Sequence, residues 1–164
     1  MKIADHDVSA TGSSRERLAR LGVVVPPPPP PIGNFLTHVR EGDLLFLSGQ
    51  GPREVDGFLH TGKVGADVST DAAYQHARLT GLNLLSVIQD ALGDLDRVRR
   101  VVKLLGMINA TPDYADHPSV INGCSDLFVD VFGKRGEHAR SAIGVGSLPG
   151  NITVEVEAVI AIAD

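Results

Sequence analysis

The sequence predicts an α+β fold in one domain, a β-sheet with two helices on one of its faces. Three observations predict it. Two long stretches, 71–92 and 119–132, repeat apolar residues at helical spacing. Short β-prone runs surround them in the order strand, strand, loop, helix, strand, helix, strand, strand. The chain has 164 residues, 43% hydrophobic and 21% charged, which is enough for one core. Two helices cover only one sheet face. Nothing else in the chain is large enough for the other, so oligomerisation is expected to cover it.

The elements follow in order. Residues 1–12 are small and polar and are expected to fray. Ser13 with Glu16 makes a capping box for a short helix through Leu21, which Gly22 closes. Val23–Val25 is a brief β-prone run. Pro26–Pro31 is six consecutive prolines, a stiff rod without backbone donors. It reads as a rigid spacer rather than a ligand for an aromatic groove, because no basic residue flanks it to orient docking. Residues 1–32 thus form an N-terminal arm, and 33–164 form the domain.

Phe35–Val39 is expected as the first strand and Arg40–Asp43 as a turn. Leu44–Leu47 is a continuous apolar run, as for a strand buried on both faces. Ser48-Gly49-Gln50-Gly51-Pro52 exposes backbone at its end but lacks the Lys and spacing of a phosphate loop. Residues 53–69 are a Gly-rich loop with a short strand near Phe58 and Leu59. The helix Asp71–Leu92, capped by Asp71 or Thr70 and ended by Gly93, carries an inward stripe of Tyr74, Ala77, Leu82, Leu85, Ile88 and Leu92. Val98–Asn109 is a central strand and Thr111–Asp113 a turn. A second helix, Ser119–Phe132, turns Val120, Cys124, Leu127, Phe128 and Val131 inward, so Cys124 is a core residue. Residues 138–162 read as a hairpin turning at Leu148–Asn151. Strand alternation then gathers Arg140, Ala142 and Gly144 with Glu155 and Glu157 on one face, opposite an apolar one.

Composition excludes several classes. A net charge of −5 argues against a nucleic-acid partner, with only Arg97, Arg99, Arg100 and Lys103 as a local basic cluster. One Cys rules out an internal disulfide and suits a reducing compartment. No apolar run reaches membrane-spanning length and no signal-peptide pattern is present, so a cytoplasmic location is expected. His6, His38, His60, His76, His117 and His138 form no HxH or HExxH pattern, so no metal site is expected. There is no GxGxxG and no nucleophile elbow. Arg140 has two readings. It is a structural ion pair with Glu155 or Glu157, or, with only Ala and Gly beside it, a fork for a small carboxylate. Asn122 is either a surface residue of its helix or a pocket donor and acceptor.

Ser48-Gly49-Gln50-Gly51-Pro52, Asn122 ahead of an aromatic helix end, His138-Ala139-Arg140-Ser141, Leu148-Pro149 and Val154-Glu155-Val156-Glu157-Ala158 occur in an order and spacing that resembles the RidA (YjgF/YER057c/UK114) family of reactive intermediate deaminases. The resemblance spans about residues 33–162. It implies a chorismate-mutase-like mixed sheet and a homotrimer with clefts between subunits. It implies hydrolysis of 2-aminoacrylate-like 2-imino acids to 2-keto acids and ammonia, without a cofactor. Arg140 falls on the family's carboxylate-binding Arg, and Glu155 on the Glu that positions water. Gly49 and Asn122 fall on pocket positions, Phe35 on a position usually held by Tyr, and Ala142 where many members have Cys. Gly144 and Gly146 replace bulkier residues. A 2-imino acid suits this chemistry, since its electrophilic carbon lies beside a carboxylate an Arg can hold. Repulsion between Glu155 and Glu157 would raise one pKa. A non-enzymatic 2-keto-acid binding module is the alternative reading, and an endoribonuclease or translation inhibitor is a weaker one.

Overall fold

The computed structural model describes residues 12–163. The fraying expected over residues 1–12 lies, Gly12 apart, outside them. Helix α1 (Ser14–Leu21) starts at the expected capping box. Ser13 Oγ accepts from the Glu16 amide at 3.2 Å, and Glu16 Oε2 accepts from the Ser13 amide at 2.8 Å. Gly22 ends it at φ +65°. The helix is stitched to the domain: the Ser14 amide donates to Asp96 Oδ1 at 2.7 Å, and Arg135 donates to that same oxygen and to Ser14 Oγ at 3.2 Å each.

The sheet has five strands: β1 (His38–Glu41), β2 (Leu44–Gln50), β3 (Val98–Asn109), β4 (Ala139–Val145) and β5 (Val154–Ile162), in the spatial order β1-β2-β5-β3-β4. Every pairing is antiparallel except β3 with β4. Helices α2 (Thr70–Leu92) and α3 (His117–Phe132) pack on each other and on one sheet face. Ser69 caps α2, one residue before the expected positions. The core between them is aliphatic, with Phe128 and Phe132 as its aromatics.

Three expectations are corrected. First, β4 and β5 are not a hairpin, because β3 runs between them. Helix α3 returns the chain so that β4 lies parallel to β3, and residues 146–153 then cross the end of β3. That crossing covers about 10 Å, two strand spacings, well within the reach of eight residues. Asn109, at the end of β3, fastens it. Its amide donates to the Thr153 carbonyl at 2.9 Å, and its side chain donates to Asn151 Oδ1 at 2.9 Å and the Gly62 carbonyl at 3.1 Å. Second, Phe35 precedes the first strand. A tight bend, closed by its amide on the Gly33 carbonyl at 3.0 Å, delays the strand to His38. Third, β2 is buried on one face only. Leu45 and Leu47 are buried under the helices, while Leu44 and Phe46 lie on the uncovered side, 36% and 43% exposed. Val39, aligned with Phe46, and Ile143 extend that apolar, uncovered face.

Helices α2 and α3 meet through glycine. A Cβ on Gly123 would overlap the Tyr74 carbonyl oxygen and lie 2.9 Å from the Arg78 amide nitrogen. Both are backbone atoms that no rotamer change can move. Gly123→Ala is therefore expected to lose about 3 kcal/mol of stability through forced helix separation. Gly146→Ala, with nothing within 4 Å, should change it by less than about 0.5 kcal/mol. Urea unfolding at one fixed protein concentration checks both, and equal effects would refute the close approach.

Candidate functional site

Arg140 sits on edge strand β4. Its cross-strand partner is Leu104, whose partner on β5 is Ala158, so Arg140 faces the helix layer. There it meets α3. Nη1 donates to Ser125 Oγ at 2.8 Å, and Nη2 donates to Asn122 Oδ1 at 2.7 Å and the Pro118 carbonyl at 3.2 Å. Positions 118, 122 and 125 recur at helical spacing and line one face of α3. All three acceptors are neutral, so they aim the guanidinium without cancelling its charge, and they use three of its five N–H donors. Burial lowers its pKa while the Asp126 carboxylate opposes the change, and an Arg remains a cation throughout.

A second tier steadies this arrangement. His138, just ahead of β4 and two residues before Arg140, holds the Gly136 carbonyl through Nδ1 at 2.6 Å and Ser125 Oγ through Nε2 at 2.9 Å. With Nδ1–H donating to the carbonyl, Nε2 accepts from the Ser125 hydroxyl, whose oxygen accepts from Arg140. Burial, with the nearby Arg140 charge, keeps the His138 pKa low, which favours this neutral form. Cys124 is not a nucleophile, since complete burial pushes its thiol up to about 12.

Glu155 faces the other way. It aligns with Met107, which aligns with Ile143, placing it on the uncovered sheet face. The expected grouping of Arg140 with Glu155 and Glu157 on one face is therefore overturned within a single chain, as is an ion pair between them. The cause is the interposed β3, which sets the register of both outer strands. Gly49 of β2 lies against Glu155, where a Cβ would overlap the carboxylate oxygen and sit 2.9 Å from Cγ. Burial first, and the Glu157 carboxylate second, raise the Glu155 pKa. No cationic side chain among the described residues pairs with it.

Glu155 forms part of the wall of a cavity of about 230 Å³. Phe35 and Gly49 line it, and so do the end of the proline run, Leu59 and Ile152. Among the described residues Arg53 is the one cation that lines it. Asn83 of α2 holds the loop carrying Arg53, donating to the Gly51 and Arg53 carbonyls at 3.0 and 2.9 Å. The structure thus sorts the candidates into two groups. Phe35, Gly49 and Glu155 share the cavity. Arg140 and Asn122 share hydrogen bonds across the sheet from it, with Ala142 beside Arg140 packed on the core. Gly144, further along that face, leaves room for His117, whose Nε2 a Cβ would overlap.

Ser125, His138, Arg53 and the proline wall were missed by sequence reasoning. For two of them a signal existed, since Ser125 lies one turn beyond Asn122 and His138 lies two residues before Arg140. Arg53 had none, because it lies in an irregular loop. Among the described residues no cluster of ligating side chains forms a metal site, and no helix is long and apolar enough to cross a membrane.

Comparison with known proteins agrees with this architecture. Protein TCP17 from Trypanosoma cruzi is 41% identical over 93% of this chain and 96% of its own. A crystal structure of a protein of unknown function from Agrobacterium tumefaciens superposes with a TM-score of 0.84 at 39% identity, covering 92% of this chain and 94% of that one. One from Shewanella oneidensis, named a "putative endoribonuclease", reaches 0.89 at 28% identity over 92% of this chain and 100% of the other. Residues 15–159 match the family described as "YjgF/chorismate_mutase-like, putative endoribonuclease". With its mixed five-stranded sheet and paired helices on one face, the chain belongs to the YjgF/chorismate-mutase-like family.

Proposed function

We propose that this protein hydrolyses 2-imino acids, of the 2-iminopropanoate or 2-iminobutanoate kind, to 2-keto acids and ammonia. The observation that carries the reading is Glu155, a half-buried carboxylate with a raised pKa in a largely apolar cavity, unpaired by any described cation. Such a group is a stronger base than an ordinary carboxylate, as a general base requires. Arg140 supplies a fixed positive charge and its remaining N–H donors for the substrate carboxylate. Water adds to the imine carbon while Glu155 takes its proton. That proton passes to nitrogen, giving a carbinolamine; Glu155 then moves the carbinolamine hydroxyl proton to the amine as the C–N bond breaks, so ammonia leaves and a ketone remains. No cofactor is needed for this sequence. Phe35 stands where the family usually has a Tyr hydroxyl, so that hydroxyl is not among the groups that order the water.

Arg140 and Glu155 face opposite sides of one sheet, so one substrate reaches both only across a contact between two copies. The uncovered apolar face around Val39, Phe46 and Ile143 is the surface for that contact. A closed ring of three, each copy giving Arg140 to one cleft and Glu155 to the next, satisfies every site. A cavity of about 230 Å³ suits a metabolite rather than a polymer, and a net charge of −5 disfavours RNA.

Three outcomes are expected. Arg140→Ala should lower kcat/KM for imines released by an amino-acid oxidase at least about 100-fold, and Arg140→Lys should recover little, as an ammonium cannot keep the three bonds to α3 and also hold the substrate. Full activity in Arg140→Ala, measured by semicarbazide competition, refutes the assignment. Saturable 2-keto-acid binding without any imine turnover would mark the protein as a binding module instead.

The pH profile is the second. The acid limb of kcat/KM should lie above the ordinary carboxylate range, because Glu155 is raised. Glu157→Gln removes the like charge and should move that limb to lower pH, while Glu155→Gln removes activity. For stability the sign is opposite. The folded state holds the Glu155 proton more tightly, so stability falls as pH rises from the unfolded value through the folded one. An acid limb that Glu157→Gln leaves in place counts against the base.

The third is assembly. Light scattering should give three times 17.3 kDa, and activity should vanish on dissociation. A fully active monomer defeats the shared cleft.

A further inference from the structure

The cavity at Glu155 has walls that the chemistry above does not use. One is the end of the proline run, Pro29–Pro31, with Ile32. Leu59 and Ile152 close much of the rest. Proline has no N–H and a fixed φ, so this wall presents hydrocarbon and no backbone donor, and orders at little entropic cost. The run also lies against Arg53, Glu54 and Asn83, which places it along the domain surface rather than free of it. Opposite, the Gly51 carbonyl is already engaged by Asn83 and by the Arg53 amide. The polar side chains of the lining, Gln50, Arg53 and Glu155, lie apart from this wall in sequence, and along Pro29–Ile32 and Leu59 a methyl group meets side chains that pack.

Resting on the reading of Glu155 as the reacting end, we propose that Pro29–Ile32 and Leu59 form a side-chain pocket, and that the substrates are 2-imino acids with large apolar side chains, branched aliphatic or aromatic, in preference to three-carbon ones. A three-carbon acid would leave the proline wall in contact with water and gain nothing from it. Each buried methylene adds about 0.8 kcal/mol of binding, close to fourfold. Three extra carbons therefore favour the larger acid by more than tenfold.

The test uses the full-length protein with imines released from leucine, phenylalanine and alanine by an amino-acid oxidase. Alongside, calorimetric titration compares 4-methyl-2-oxopentanoate with pyruvate. The expected result is a kcat/KM for the leucine and phenylalanine imines at least about tenfold above that for the alanine imine. Ile32→Ala and Leu59→Ala, both at exposed positions, should narrow that ratio to within about threefold. An alanine imine turned over as fast as the others, or a ratio untouched by both substitutions, overturns the pocket and leaves the deaminase reading standing. If no imine is accelerated, that reading fails and titration decides the pocket. Tighter 4-methyl-2-oxopentanoate, weakened by both substitutions, sustains it, and equal or absent binding overturns it.

Discussion

Strand β3 imposes the constraint on which the rest depends. It is twelve residues long, paired parallel to β4 on one side and antiparallel to β5 on the other. Side chains aligned across a sheet share a face. The register of β3 therefore decides, for both neighbours at once, which residues lie under the helices. It turns Leu104, Gly106 and Ile108 to the helices, and with them Arg140, Ala142 and Gly144. It turns Met107 outward, and with it Glu155 and Ile143. The two charges central to the proposed chemistry are separated by this choice, and each takes a different environment. Arg140 is held among neutral oxygens of α3, and Glu155 lies against glycine and apolar walls.

The separation has an electrostatic logic. Placed together in one chain, the two groups would form a half-buried ion pair, with the guanidinium occupied and the carboxylate driven well below its ordinary range. Apart, the carboxylate keeps a raised pKa and the guanidinium keeps donors for an outside anion. In the proposed assembly the two groups meet only across a subunit boundary.

Local physics was legible in the sequence, and long-range pairing was not. The capping box at Ser13 and Glu16, the glycine stops at Gly22 and Gly93, and the bounds of β3 follow from side chains a few residues apart, and all were found. Arg140 with Asn122 was legible through the family's motifs, and their direct hydrogen bond is a fact of the fold. The pairing of β4 with β5 failed because adjacency in sequence favours a hairpin, whereas β3, thirty residues upstream, takes the place between them. Alternation along each strand was read correctly, but which faces coincide depends on the intervening strand. Leu44–Leu47 misled for a related reason: an apolar run records that both sides avoid water, not whether the cover is a helix or another copy of the chain.

The stitching of α1 has a reach beyond its own stability. Six prolines span about 19 Å in an extended rod. At one end stands α1, tied through Ser14, Asp96 and Arg135. At the other, the bend at Phe35 leads into the sheet. Residues 22–25 join α1 to the rod, with Val23 and Val25 packed on the core, so the seating of α1 bears on where the rod lies beside the cavity. If that rod sorts substrates as proposed, a population of variants drifting at Asp96 or Arg135 would diversify in diet while every reacting group stayed where it was.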